Sequence, residues 1–222
     1  MIFMSDNDKV NTGHHIEDKE LIKNARKPVG KLGHQILDRM NKSHEAMAQW
    51  GVSHFEVNED SKILDIGCGG GRNIERFAAQ ISDNGRVVGI DYSEVSVEKS
   101  IELNRQAIER GIVNVLQGSV SDMPFYDETF DIVTGFETIY FWPGLEKCFA
   151  EVAKVLKPGG VFMIVNESDG TDEASLKYEQ KIEGMKCYTG EAIEEALKAA
   201  GFRKTKTIHH SSKPWITVLA KK

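Results

Sequence analysis

The run Asp65-Ile66-Gly67-Cys68-Gly69-Gly70-Gly71 constrains this chain more than any other stretch. It follows Lys62-Ile63-Leu64-Asp65-Ile66, which reads as a buried strand, and precedes Ile74, Phe77, Ala78 and Ile81, whose spacing is helical. Small residues between a strand and a helix permit a sharp turn and a close backbone approach to a ligand. The helix start beyond them carries N–H groups with no internal partner, so an anionic group is the expected guest.

The same alternation continues along the chain. Arg86–Ile90 forms a second strand ended by Asp91; Ser93 can cap the helix that follows, with Val97, Ile101 and Ile108 on one face and Gly111 as its stop. Further strands fall at 113–116, 130–134 and 161–165, the last two joined by a helical stripe of Leu145, Phe149, Val152, Val155 and Leu156. Thr189 can cap a helix through Ile193, Leu197 and Ala200, stopped by Gly201. Two final strands, 204–208 and 215–220, have no helix between them, which calls for antiparallel pairing. The pattern predicts an α/β fold: a doubly wound, mostly parallel seven-stranded sheet, helices on both faces and an antiparallel C-terminal edge strand. Residues 1–27 read as a polar N-terminal arm and 28–222 as a single domain. Within that domain, 28–60 is a helical segment striped by Ile36, Met40, His44 and Met47, and 61–222 is the ligand-binding core. His44, lying on that apolar stripe, reads as a core or boundary histidine.

Charge and cysteines exclude several partners. With 34 acidic and 28 basic side chains the net charge is −6, and no basic stripe appears, which argues against nucleic acid. No apolar run approaches a membrane span, and no secretory leader is expected. Cys68, Cys148 and Cys187 are widely spaced and odd in number, which suits a reducing cytoplasm. Neither they nor His209-His210 have metal-ligand spacing, so no metal site is expected.

The glycine loop discriminates among ligands. A dinucleotide fingerprint needs glycine or alanine at the sixth position from Gly67, where this chain has Arg72; the Gly-Lys-Ser/Thr of a nucleotide-phosphate loop is also missing. An acid ahead of the glycines would repel a pyrophosphate but could pair with an ammonium. Asp91, at the end of the second strand, is placed to accept hydrogen bonds from ribose hydroxyls. A ligand that joins an amino acid to a nucleoside is S-adenosylmethionine. Over residues 61–222 the chain resembles the class I S-adenosylmethionine-dependent methyltransferases, in the stretches Ile63–Gly71, Val88–Ser93, Gln117–Phe125, Phe130–Thr134 and Val155–Gly160.

The resemblance implies roles residue by residue. Asp65 would help hold the methionine amino group, and Gly67, Cys68, Gly69 and Gly71 would bring the backbone to the methionine carboxylate and ribose. Asp91 would grip the ribose, with Tyr92 against the adenine. Ser119 stands where many relatives carry Asp and could accept one hydrogen bond from the adenine side, with Val120 offering its N–H and Asp122 shaping the turn. Phe136 would border the sulfonium.

The acceptor must be read from the loop Gly135–Pro143, which carries neither the Asn/Asp-Pro-Pro-aromatic signature of amino-methylating nucleic-acid enzymes nor a Pro-Cys nucleophile. Glu137 and Tyr140 are the candidate proton acceptors; Phe136, Phe141 and Trp142 either wall a small-molecule site or pack against the sheet edge. Residues 166–188 hold six acids and form either a solvated helix or a lid with Tyr178, Met185 and Tyr188 turned inward. The segment 28–50 is a candidate second part of that lid. The expected function is methyl transfer to a small molecule. The alternatives are a non-catalytic protein that binds S-adenosylmethionine or S-adenosylhomocysteine, a protein methyltransferase, and a nicotinamide-dependent oxidoreductase, which Arg72 disfavours.

Overall fold

The computed structural model describes Ile22 and residues 24–222; the rest of the expected polar arm lies outside the described residues. Among the described residues seven strands form one sheet: β1 Lys62–Ile66, β2 Arg86–Asp91, β3 Val113–Gln117, β4 Phe130–Phe136, β5 Leu156–Asn166, β6 Lys204–His209 and β7 Ile216–Lys221. Their spatial order is β3-β2-β1-β4-β5-β7-β6. β1 pairs in parallel with β2 (Leu64 opposite Val88) and with β4 (Ile63 opposite Ile132). The chain order therefore reverses between β1 and β4, and a doubly wound sheet opens a crevice at the carboxyl ends of those strands.

Side-chain alternation splits the core into two layers. Leu64, Ile66, Phe162 and Ile164 face one side, where they meet α6 (Leu145–Val155) and α8 (Gly190–Ala199). Ile63, Met163 and Val165 face the other, against α2 (Glu45–Val52) and α3 (Arg72–Ala78). Two more helices, α4 (Glu94–Leu103) and α5 (Arg105–Glu109), lie by β2 and β3. α2 approaches β5 closely at Gly51, where a Cβ would come 2.5 Å from a methyl group of Val165. The caps fall where the sequence puts them: Ser93 Oγ accepts from Ser96 N at 3.3 Å and Thr189 Oγ1 from Ala192 N at 3.2 Å.

Several elements differ from expectation, each for a local reason. The helical segment breaks at His44 into α1 (Gly30–Ser43) and α2, so His44 belongs to a joint and not to a continuous stripe. A second break, at Asn104, separates α4 from α5; its side chain bonds the carbonyls of Gly71 and Ser100, and Ile101 is left exposed instead of lining a face. β5 begins at Leu156, because Leu156 already pairs with Phe130 before the register shifts to Ile132 opposite Val161 and residues 157–160 bulge out. The antiparallel pairing lies at the expected end of the sheet. β7 is the reversed strand, inserted between β5 and β6, and β6 forms the edge.

Phe149 is fully buried beside Trp142 and Phe162, at ring separations of 5.9 and 5.4 Å. Phe149→Ala is expected to lower the unfolding free energy by about 3–5 kcal/mol, readable as a shifted midpoint in urea titration.

Candidate active site

A cavity of about 380 Å³ opens at the carboxyl ends of β1, β2 and β4, a volume within the ~300–1,000 Å³ of small-molecule sites. Its floor is the glycine loop. Gly67, Gly69 and Gly71 have φ of 72°, 52° and 79°, a region that favours glycine. At Gly67 a Cβ would also collide with the Thr138 hydroxyl. The N–H groups of Gly67 and Cys68 both bond the Ile90 carbonyl, at 2.8 and 3.0 Å, which ties the loop to β2.

Asp91 completes that tie. Its Oδ2 accepts from Gly69 N at 3.0 Å and its Oδ1 from Ser93 N at 2.9 Å, while burial raises its pKa. An ionised carboxylate has about four acceptor positions, of which these two bonds use two, and Asp91 lines the cavity. Tyr92, Ser119, Val120 and Phe136 also line the cavity. The Tyr92 hydroxyl donates to the Arg26 carbonyl, and the Ser119 hydroxyl accepts from Ser121 N at 3.3 Å. Asp122 N bonds the Ser119 carbonyl, so this residue does shape the turn.

Asp65 and Cys68 differ from the simple expectation of side-chain contact. Asp65 is buried in β1 behind the cavity wall: Oδ1 accepts from Thr134 Oγ1 at 2.7 Å, and Oδ2 is buried with no partner among the described residues. Burial pushes its pKa up to about 7. Cys68 contributes backbone to the loop, while its thiol packs under it near Ser100 Oγ, at 4.0 Å, and burial raises its pKa.

Glu137 follows β4 with φ of 56°, a conformation costing a non-glycine residue about 1–2 kcal/mol. Its Oε1 accepts from the Tyr140 hydroxyl at 3.1 Å and from Glu167 N. The Tyr140 oxygen in turn accepts from Ser168 N at 3.2 Å. Burial raises the pKa of Glu137 and pushes that of Tyr140 well above its ordinary value, so Tyr140 is a poor base. Of the neighbouring aromatics, Phe141 lines the cavity, while Trp142 also stacks on Phe162 at 6.1 Å in the core.

The cavity has a roof made of both segments that the sequence marks as candidate lids. Met40, Asn41 and His44 reach it from the N-terminal helices, and Tyr178, Ile182 and Met185 from the region of α7 (Glu173–Glu179) and beyond. Arg26, just before the first of these segments, donates from Nη1 to the Glu183 carbonyl at 3.4 Å. Tyr188 does not face inward; it packs against the core beside α6 and α8. The acids of this region divide: Glu167 is buried, Asp172 caps α7 and Glu179 accepts from Cys187 N at 2.7 Å, while Glu173 and Glu183 are exposed. Asn41, which donates to the Gly70 carbonyl at 3.2 Å, and Arg76, which pairs with Glu45 at 3.0 Å, are wall residues that sequence spacing did not single out.

Comparison with known proteins identifies the class. A family model described as a methyltransferase domain matches residues 57–210, and the chain belongs to that family. It is 33% identical to a sterol 24-C-methyltransferase of Debaryomyces hansenii over 160 residues, which cover 67% of this chain and 41% of the relative. It is 29% identical to a demethylmenaquinone methyltransferase of Symbiobacterium thermophilum over 146 residues, 60% of this chain and 58% of the other. The chain thus spans less than two thirds of the length of these curated relatives. In fold it matches a SAM dependent methyltransferase from Aquifex aeolicus with a TM-score of 0.71 at 19% identity, covering 85% of this chain and 97% of that one. Among the described residues no helix is long and apolar enough to cross a membrane.

Asp65 provides a test of this local electrostatic picture. A carboxyl with a folded pKa near 7, against about 3.9 unfolded, holds more protons in the native state between those values. Its contribution to stability is therefore present at low pH and lost as pH rises from about 4 to 7. Asp65→Asn is expected to remove up to ~1.4 kcal/mol of stability loss per pH unit in that window. Urea unfolding of both proteins at pH 5, 6 and 7 reads the difference; parallel curves would refute the buried-acid assignment.

Proposed function

We propose that this chain transfers a methyl group from S-adenosylmethionine to a small-molecule acceptor. The observation that carries the reading is the bond between Gly69 N–H and Asp91 Oδ2: it brings a glycine loop and a strand-end acid onto one cavity wall. The residues fit an amino-acid nucleoside. Left-handed glycines leave room for close backbone approach, and Asp91 keeps acceptor capacity for ribose hydroxyls. Asp65 supports the amino end from behind the loop. Tyr92, Ser119 and Val120 flank the base, and Phe136 borders the sulfonium. When bound, the cofactor supplies an electrophilic methyl group, and the chain's own task is to orient the acceptor and exclude water. Holding reactants in line supplies roughly 7–11 kcal/mol of barrier reduction.

A small acceptor is supported by the roof. Segments before β1 and after β5 meet over the cavity through Arg26 and Glu183, which suits closure over a molecule better than docking of a polymer. The relatives named for sterol and menaquinone methylation support an acceptor that is largely apolar, and the cavity wall supplied by Met40, Met47, Phe141 and Ile182 agrees in character. Glu137, held in place by Tyr140, lies on the acceptor side. A cytoplasmic location belongs to the same reading, supported by three free, buried cysteines.

Isothermal titration with S-adenosylhomocysteine is expected to give one site per chain, with no binding of NAD. Asp91→Ala should weaken it by about 10- to 1000-fold, the equivalent of one or two charge-assisted hydrogen bonds. Binding of NAD in place of S-adenosylhomocysteine would overturn the reading. Labelled S-adenosylmethionine incubated with a metabolite extract should yield a labelled low-mass product; label found only on protein would move the acceptor class to a macromolecule.

A further inference from the structure

His44 has no job in the cofactor reading, yet it is built into the cavity with care. It sits at the joint between α1 and α2, where its N–H bonds the Met40 carbonyl and its own carbonyl accepts from Ala48 N, at 3.0 and 2.9 Å. The residue lines the cavity. Nε2 is buried and has no hydrogen-bond partner among the described residues. Leaving such an atom unsatisfied costs about 1–3 kcal/mol, so its retention calls for a ligand.

Two carboxylates share that space. One donor atom each from His44, Glu137 and Glu167 lie within 4.8 Å of one another, although the three residues come from separate elements. Donors held at about 2.0–2.2 Å from a metal lie within roughly twice that distance of each other, so the observed spread needs only a small contraction. Outer-sphere support is present too: Tyr140 and Glu167 N both donate to Glu137, and Ser168 N fixes Tyr140. The left-handed backbone at Glu137 is local strain at the point where the donors meet, as is common at functional sites.

We propose that His44 Nε2 and the carboxylates of Glu137 and Glu167 form a divalent-cation site on the acceptor side of the cavity. One imidazole and two carboxylates, with no thiolate, suit manganese, cobalt, iron or zinc. Three protein ligands leave positions open on the side where His44 and Glu137 line the cavity, as in metal sites that hold an exchangeable group. Resting on the methyltransferase reading, the site would take an acceptor that presents an oxygen, and the cation would lower the pKa of that group. The cation site itself is testable without any acceptor.

Tag-free, chelator-treated protein titrated with manganese(II) alone should take up one ion per chain, and cobalt(II) should give a visible absorption band from its bound form. His44→Ala and Glu167→Gln are each expected to weaken manganese binding by at least about 10- to 100-fold, and Tyr140→Phe by about 10-fold. Glu167 does not line the cavity, so S-adenosylhomocysteine titrated into Glu167→Gln should bind as in the parent, which shows that this variant folds and keeps the two readings separate. No saturable uptake of either ion by the parent protein, or uptake unchanged in His44→Ala, would overturn the cation site. Loss of S-adenosylhomocysteine binding by the parent overturns the cofactor reading instead.

Discussion

The hydrogen bond from Gly69 N–H to Asp91 Oδ2 is the contact on which the site depends. It closes the gap between the ends of two adjacent parallel strands, with Asp91 also gathering Ser93 N at the start of α4. The loop it holds contains three left-handed glycines, a conformation that most side chains would oppose. The bond is charge-assisted, so its loss would loosen the loop and leave the largely buried carboxylate with only Ser93 N as donor. With the bonds of Gly67 N and Cys68 N to the Ile90 carbonyl, this acid fixes the cavity floor against β2.

A second constraint comes from the other side of the cavity. Glu137 holds an unfavourable backbone because Tyr140 and Glu167 N both bond its carboxylate and because its own N–H reaches the Val165 carbonyl at 3.0 Å. Four residues from the ends of β4 and β5 thus stabilise one another: Glu137, Tyr140, Glu167 and Ser168. The cavity has two walls of different character, a glycine and backbone wall under β1 and β2, and a carboxylate and aromatic wall after β4. Such a division matches a molecule that must bind one partner by its polar frame and orient another beside it.

Much of this was legible in local sequence. Alternating apolar runs along β1 and β5 predict strands buried on both faces, and Ser93 and Thr189 cap helices as their positions suggest. Other elements were hidden because their causes are distant in the chain. The break at Asn104 depends on the Gly71 carbonyl, and the early start of β5 depends on Phe130 across the sheet. His44 falls on an apolar stripe by spacing, and its place on the cavity wall depends on elements far along the chain that close the cavity around it.

Local sequence suffices for the fold class, the glycine crevice and the acid beside it. Strand period, turn residues and cap positions act within a few residues, and the order of elements then dictates where the crevice opens. Tertiary structure alone decided the insertion of β7, the roof joined by Arg26 and Glu183, and the meeting of His44, Glu137 and Glu167. Those features need residues from separate elements to converge, and convergence is a property of packed geometry that no spacing along the chain encodes.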